Sequence, residues 1–292
     1  MPRLRISMPP DPNPRTPLFK APPGSCDTHC HIFGPPDLFP YAATRAYTPP
    51  AAPVEHYASM LDIVGIDRGI IVQPNAHATD NAVSLDAIAQ GKGRFRGICR
   101  LGGDESAAEL KRLHDGGMRG ARFNFGESLG HKPNLAPVEK SLPKMQELGW
   151  FIDVHTDPAG IAAYADTFRK FPVPVVIDHL AHIDASQGTG QRAFKLLLEL
   201  LAEPKFWVKI AGIDWLTRQG RPYDDVVPFA RLALEAAPDR VLWGTNWPHS
   251  MRFKHGTAPN DGDLVDFIPR FAPEPALQQK LLVANPARLF GF

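Results

Sequence analysis

Two histidines two positions apart, His29 and His31 in Asp27-Thr28-His29-Cys30-His31, close the first strand-like segment of this 292-residue chain. In an extended backbone, side chains at i and i+2 point to one face, so both imidazoles converge on one point. Later strand-like runs also end in groups suited to chemistry. These are Arg122 in Ala121-Arg122-Phe123-Asn124, His155, His179 in Val176-Ile177-Asp178-His179, and Asn246 and His249 in Gly244-Thr245-Asn246-Trp247-Pro248-His249. Imidazoles gathered in this way can hold zinc, manganese or iron, or donate hydrogen bonds to a carbonyl and its tetrahedral adduct. A guanidinium at Arg122 offers paired donors to a carboxylate or one to a carbonyl oxygen; the competing reading is a structural ion pair with Asp153 or Asp178. Asn75, His77 and Thr79, after the second strand, are polar groups able to meet hydroxyls or a carboxylate. Arg252, beyond His249, and Lys209 with Asp214, around the seventh strand, complete the shell. His56, His114, His131, His182 and His255 fall in helical or loop segments and read as surface or packing residues.

Bringing these groups together requires strands whose C-terminal ends face one mouth. Apolar and β-branched runs predict strands over 25–33, 69–73, 95–100, 118–123, 150–155, 174–178, 206–210 and 240–244. Amphipathic stretches of helical length lie between them, such as 81–91, 105–114, 191–202 and 225–237. Eight β units with helical partners predict an α/β fold, a single (β/α)8 barrel with its functional groups on the loops after each strand. A doubly wound sheet is the rival, but no Gly-rich dinucleotide fingerprint follows any strand. Thirteen of the 31 prolines lie in the first 50 residues, so residues 1–23 are expected to form an extended arm and 24–292 the barrel.

With 43% hydrophobic residues the chain can bury a large core, and 32 Lys+Arg against 31 Asp+Glu leave no global field for nucleic acid or an anionic membrane. The partner expected is a small molecule held by local charge. Cys26, Cys30 and Cys99 are too few and too irregularly spaced for a disulfide framework. No apolar run of signal-peptide or membrane-span length occurs, so the expected compartment is the cytoplasm.

The His29/His31 motif and the Gly244 to His249 motif occur with Val72-Gln73, Thr79-Asp80-Asn81, Gly116 to Phe125, Val176 to His179 and Asn285-Pro286-Ala287-Arg288-Leu289. Collinear from Gly24 to Phe290, this pattern resembles the amidohydrolase superfamily, and within it the lactone-processing branch that contains 2-pyrone-4,6-dicarboxylate lactonase. The resemblance implies that His29, His31, His155, His179 and Asn246 are catalytic, and that Arg122, Asn75, His77, Thr79, His249 and Arg252 meet substrate. It also implies no required divalent metal, although neutral histidines can hold one.

The lactonase pattern has Asp where this chain has Asn246, and an amide cannot take a proton from water. Isomerisation escapes part of that requirement, because the attacking hydroxyl is already on the substrate, with an effective molarity on the order of 10^5 to 10^8 M. The expected reaction is therefore conversion of an aldaric acid 1,5-lactone, D-galactaro-1,5-lactone, into the 1,4-lactone, as in the branch's D-galactarolactone isomerases of galacturonate and galactarate catabolism. Arg122 would hold a carboxylate or the lactone oxygen, with His29, His31 and His179 polarising the carbonyl. Asn246 would position the hydroxyl, and His155 or His249 would relay protons. The alternatives are a metal-independent lactone hydrolase of the pyrone-dicarboxylate or muconolactone type that uses a histidine base, an Asp-to-Asn variant of one, and a silent sugar-acid binding protein.

Overall fold

Eight short parallel strands pair in chain order: β1 (Cys26–Cys30), β2 (Arg68–Val72), β3 (Phe95–Cys99), β4 (Met118–Asn124), β5 (Phe151–His155), β6 (Val175–Ile177), β7 (Phe206–Ala211) and β8 (Val241–Gly244). In this computed structural model, which describes residues 4–127, 133–254, 256 and 258–292, hydrogen bonds between the two outer strands close the sheet into a barrel. Thr28 Oγ1 donates to Trp243 O (2.8 Å), Asn246 N to His29 O (2.8 Å) and His31 N to Trp247 O (2.7 Å). Around the strands lie α1 (Val54–Val64), α2 (Ala82–Gln90), α3 (Ala107–Asp115), α4 (Leu135–Glu147), α5 (Pro158–Lys170), α6 (Arg192–Leu201), the short α7 (Ile213–Leu216), α8 (Val227–Ala236) and α9 (Asp261–Phe271). The chain is thus a (β/α)8 barrel.

Period-two alternation divides each strand between two cores. Outward residues such as Ile71, Cys99, Ile152, Ile177 and Val208 pack under the helices, whose apolar stripes supply Phe194, Leu197 and Leu201 from α6 and Leu110 and Leu113 from α3. Ser106 caps α3, its hydroxyl accepting from Glu109 N, a contact that stabilises a helix by about 1 kcal/mol. Inward residues Ile70, Ile98, Phe151, Val176, Trp207 and Leu242 fill the lower barrel, plugged from below by Phe290 against Phe151. Two positions beyond Ile98, Phe151, Val176 and Trp207 come Arg100, Asp153, Asp178 and Lys209, so the layer above the apolar plug is charged.

Asp27 ties β1 to β8. Its buried carboxylate accepts from Tyr57 OH (3.0 Å), Thr245 Oγ1 (2.6 Å), Thr245 N (2.9 Å) and His29 N (3.1 Å). Burial pushes this carboxyl up to about 6 against the pull of those donors. The segment before β1 runs along the rim: Ser7 N donates to Thr48 O, Met8 N to Arg252 O, and Arg15 pairs with Asp263 and Asp266 of α9. Among the described residues no helix is long and apolar enough to cross a membrane.

Candidate active site

Above the apolar plug, Lys209, fully buried, contacts Asp153 and lies 3.0 Å from Asp178 Oδ1. Arg122 pairs with Asp178 Oδ2 at 3.0 Å and lies 3.5 Å from Asp153 Oδ1. The ion pair that competed with a substrate role for Arg122 is therefore present, although a guanidinium engaged on one edge keeps donors for a ligand on the other. Two carboxylates in one dry layer repel. Burial and the Asp178 charge push Asp153 up to about 8, while burial of Asp178 is overcome by Lys209, His29 and Arg122, which hold that carboxyl well below its ordinary value.

The histidines sit over this charged floor. His29 Nδ1 lies 3.3 Å from Asp178 Oδ1, and its ring is 5.0 Å from that of His31 and 4.4 Å from that of His179. His31 Nδ1 donates to Val72 O (2.8 Å) and His179 Nδ1 to Ala211 O (3.0 Å), since a carbonyl oxygen can only accept. Both rings are thereby fixed as tautomers with a bare lone pair at Nε2. Burial keeps them neutral: His31 is lowered to about 3 by burial and by Arg122, and His29 and His179 also fall well below the ordinary imidazole range, chiefly by burial. A neutral imidazole held this way accepts a proton at Nε2 and cannot donate one. The expectation that His31 and His179 polarise a carbonyl as donors is corrected on this ground.

Asn246 takes a left-handed conformation (φ 67°), which asparagine tolerates, in the loop after β8. Gly212 shows how near it lies to His179, because a Cβ there would stand 3.0 Å from His179 Nδ1 and 3.2 Å from Asn246 Nδ2. His155 donates through Nδ1 to Asn124 Oδ1 (3.0 Å), and its Nε2 lies 3.2 Å from Nε2 of His182. His182, expected on the surface, belongs to the site. The four residues His179 to His182 are all left-handed, with φ near 50°, a conformation that costs non-glycine residues about 1–2 kcal/mol each and returns His182 beneath His179, 4.9 Å between rings. Pattern reading cannot anticipate such a turn.

His77, Thr79, Arg252 and His249 do not meet in the mouth, whereas Asn75 reaches it through Arg100. His77 is buried against Phe33 and Tyr41, its Nδ1 donating to Pro40 O, and Thr79 is exposed. Asn75 accepts from Arg100 Nη1, a partner the motif reading missed although its place two residues beyond Ile98 marks it as inward. Arg252 sits at the rim, stacked 4.1 Å over Trp215 and paired with Asp214. His56 is exposed and His114 stacks on Trp150, as a surface and a packing residue do; His131 and His255 lie outside the described residues. His249 is fully buried, 3.0 Å from Asp261 Oδ1 at the start of α9, away from the role of proton relay.

Burial opposes a charge on His249, but Asp261 outweighs it and raises the group above its ordinary 6.5. A raised imidazole contributes stability that is complete below the unfolded value and is lost as pH rises through the folded one. His249→Gln should therefore remove, from the pH slope of stability measured by urea unfolding across neutral pH, a contribution that falls with rising pH. An unchanged slope would contradict the pairing.

Among the described residues, two groups of donors could hold a metal: His155, His179 and His182, and His29, Asp178 and His179, each with ligand atoms within 4.8 Å of one another. Neither is well prepared for a divalent ion. The Lys209 ammonium already stands 3.0 Å from Asp178 Oδ1, Asn246 offers no charge, and the Nε2 lone pair of His155 is taken by the N–H of His182 Nε2.

A parallel eight-stranded barrel with a His-x-His pair at the end of its first strand and further histidines at the ends of the fifth and sixth gathers its candidate site at one mouth. The chain belongs to the amidohydrolase family, whose model matches residues 26–292, and within it to the branch of the 2-pyrone-4,6-dicarboxylate lactonases. It is 40% identical to the 4-sulfomuconolactone hydrolase of Rhizobium radiobacter, over 100% of this chain and 99% of that protein. It is 39% identical to a 2-pyrone-4,6-dicarboxylate hydrolase of Comamonas testosteroni (95% and 93%) and 29% to the D-galactarolactone isomerase of Agrobacterium fabrum (96% and 93%). A crystal structure of an Acinetobacter baumannii protein described as a probable 2-pyrone-4,6-dicarboxylic acid hydrolase, with citric acid bound, superposes with a TM-score of 0.78 at 26% identity, covering 92% of this chain and all of that one. The protein is an enzyme of a lactone-processing branch, and the hydrolases stand nearer to it than the isomerase.

Proposed function

We propose that the protein hydrolyses the ring ester of a small lactone carrying carboxylate or sulfonate groups, with a neutral imidazole as base. The observation that carries this reading is the locked tautomer of His179, whose Nδ1 donates to Ala211 O and leaves the lone pair at Nε2, with the Asn246 amide close to the same ring. It supplies the proton acceptor that Asn246 lacks. The 39–40% identity to hydrolases of sulfonated and dicarboxylated lactones supports the same class.

In this reading water attacks the acyl carbon as His179 Nε2 takes one of its protons, a transfer that contributes roughly 10^2 to 10^4-fold. The free edge of Arg122 and the Asn246 amide donate to the oxyanion. The C–O bond of the ring then breaks, the imidazolium returns the proton to the leaving oxygen, and the new carboxylic acid releases its own proton to solvent. In this reading no step is routed through a metal. Asn246 favours a second reading, lactone isomerisation, in which a substrate hydroxyl replaces water and a ring of another size closes.

Turnover in heavy-oxygen water after dialysis against a chelator separates these readings. The expected result is an open-chain acid with one labelled oxygen, formed at the undialysed rate. A rearranged lactone without label would establish isomerisation, and lost activity restored by zinc would overturn the metal-free route.

A further inference from the structure

We propose that Arg100, with Asn75 beside it and Arg122 across the mouth, forms the subsite that takes an anionic substituent of the substrate, a carboxylate or a sulfonate. This deepens the lactone reading and rests on it. Arg100 follows β3, and strand parity from Ile98 sends its side chain inward at the mouth layer. The residue is anchored at both backbone groups by Asn81, whose Oδ1 accepts from Arg100 N (2.9 Å) and whose Nδ2 donates to Arg100 O (3.0 Å). Its guanidinium is aimed by one hydrogen bond, Nη1 to Asn75 Oδ1 at 2.5 Å, and its buried Nε has no partner. Asn81, from the Thr79-Asp80-Asn81 motif, is thus a positioning residue.

Among the described residues no carboxylate lies within ion-pair distance of Arg100, and residues 128–132, outside that set, include no acid. The other cations of the layer are matched: Arg122 and Lys209 face Asp153 and Asp178, at most two negative charges for two positive ones. Arg100 is therefore a surplus cation in a largely buried position. Buried charge is ordinarily paired, and one left over at a catalytic mouth is satisfied by the ligand. Burial, with the neighbouring Arg122 charge, already pulls Arg100 down to about 10, the strain an anion would relieve. A guanidinium binds the planar oxygens of a carboxylate or the tripod of a sulfonate through paired N–H groups, which a lysine cannot reproduce.

The test compares the full-length protein with Arg100→Met and Arg100→Lys. Citrate, the probe, is titrated calorimetrically into each at low and moderate salt; lactones bearing a carboxylate, a sulfonate or the neutral methyl ester are then compared as substrates. Arg100→Met is expected to weaken citrate binding and raise KM for the acid lactones about tenfold or more, with kcat changed less than about threefold and the preference for acid over ester lost. Arg100→Lys is expected to recover part of this. The carboxylate and sulfonate arms show which anion fits better. Unchanged citrate affinity with an unchanged acid-over-ester preference would overturn the subsite. Should Arg100→Met fail to fold, Asn75→Ala, which frees the guanidinium from its aiming contact, must raise KM for the acid more than for the ester, or the subsite falls. If citrate binding depends on Arg100 while no lactone is turned over by the wild-type protein, the lactone reading fails and the subsite stands.

Discussion

Replacing His179 by glutamine is expected to lower kcat/KM for a lactone by about 10^3-fold while the protein stays folded. The size follows from removing the proton acceptor from the transition state; the amide of glutamine can occupy the space but cannot take the proton. Ala211 O loses the donor it now has from Nδ1, a cost of about 1 kcal/mol, small beside the stability of a barrel this size. The loss should fall on kcat more than on KM, since the substrate's charged groups meet other residues. In the wild-type protein the acid limb of kcat/KM should lie well below 6.5, because burial keeps the rings of His29, His31 and His179 neutral into acid. A loss under tenfold in the variant, or a wild-type limb at the ordinary imidazole value, would remove His179 from the role of base. His31, another ring with a carbonyl at Nδ1, would then be the base.

Replacing Lys209 by methionine is expected to destabilise the fold by about 3 kcal/mol at neutral pH. Lys209 faces both Asp153 and Asp178, and without it two buried carboxylates share one guanidinium. Their protonated forms become favoured, so the Asp153 carboxyl rises further and the Asp178 carboxyl loses the largest charge that holds it low. A raised carboxyl contributes stability that is present in acid and lost as pH rises, so the deficit should shrink toward low pH and deepen through the alkaline side of neutrality. The double variant Lys209→Met with Asp153→Asn should recover much of the loss, because one of the stranded charges is gone. Urea unfolding of the single and double variants at two pH values checks this. Equal stability of Lys209→Met and wild type, or a deficit independent of pH, would show that the layer is not held by these charges.

The rhythm of strands was legible because burial on both faces of a parallel sheet demands apolar runs, and such runs show at β2, β6, β7 and β8, while β1 and β4 were marked by their spacing and flanking motifs. Parity carried further than motif reading used it. Arg100, Asp153 and Lys209 each stand two residues beyond an inward apolar side chain, so the charged layer was available from spacing once the inward face was known. His182 was not, because its place in the site depends on four consecutive left-handed residues that no propensity favours. His249 and His77 misled for the opposite reason: polar residues after strands can turn away to satisfy buried partners, here Asp261 and Pro40 O.

By itself the order of residues determined that eight strands would form, that His29, His31, His155 and His179 would end them, and that position 246 would hold an amide, because covalent order and side-chain period are local properties. Only the tertiary structure decided which nitrogen of each ring bears the proton and which cation is already matched. Both depend on carbonyls and carboxylates supplied by neighbouring strands, Val72 and Ala211 for the rings, Asp153 and Asp178 for Arg122 and Lys209, and it is their distances in space that set the charge each group can carry.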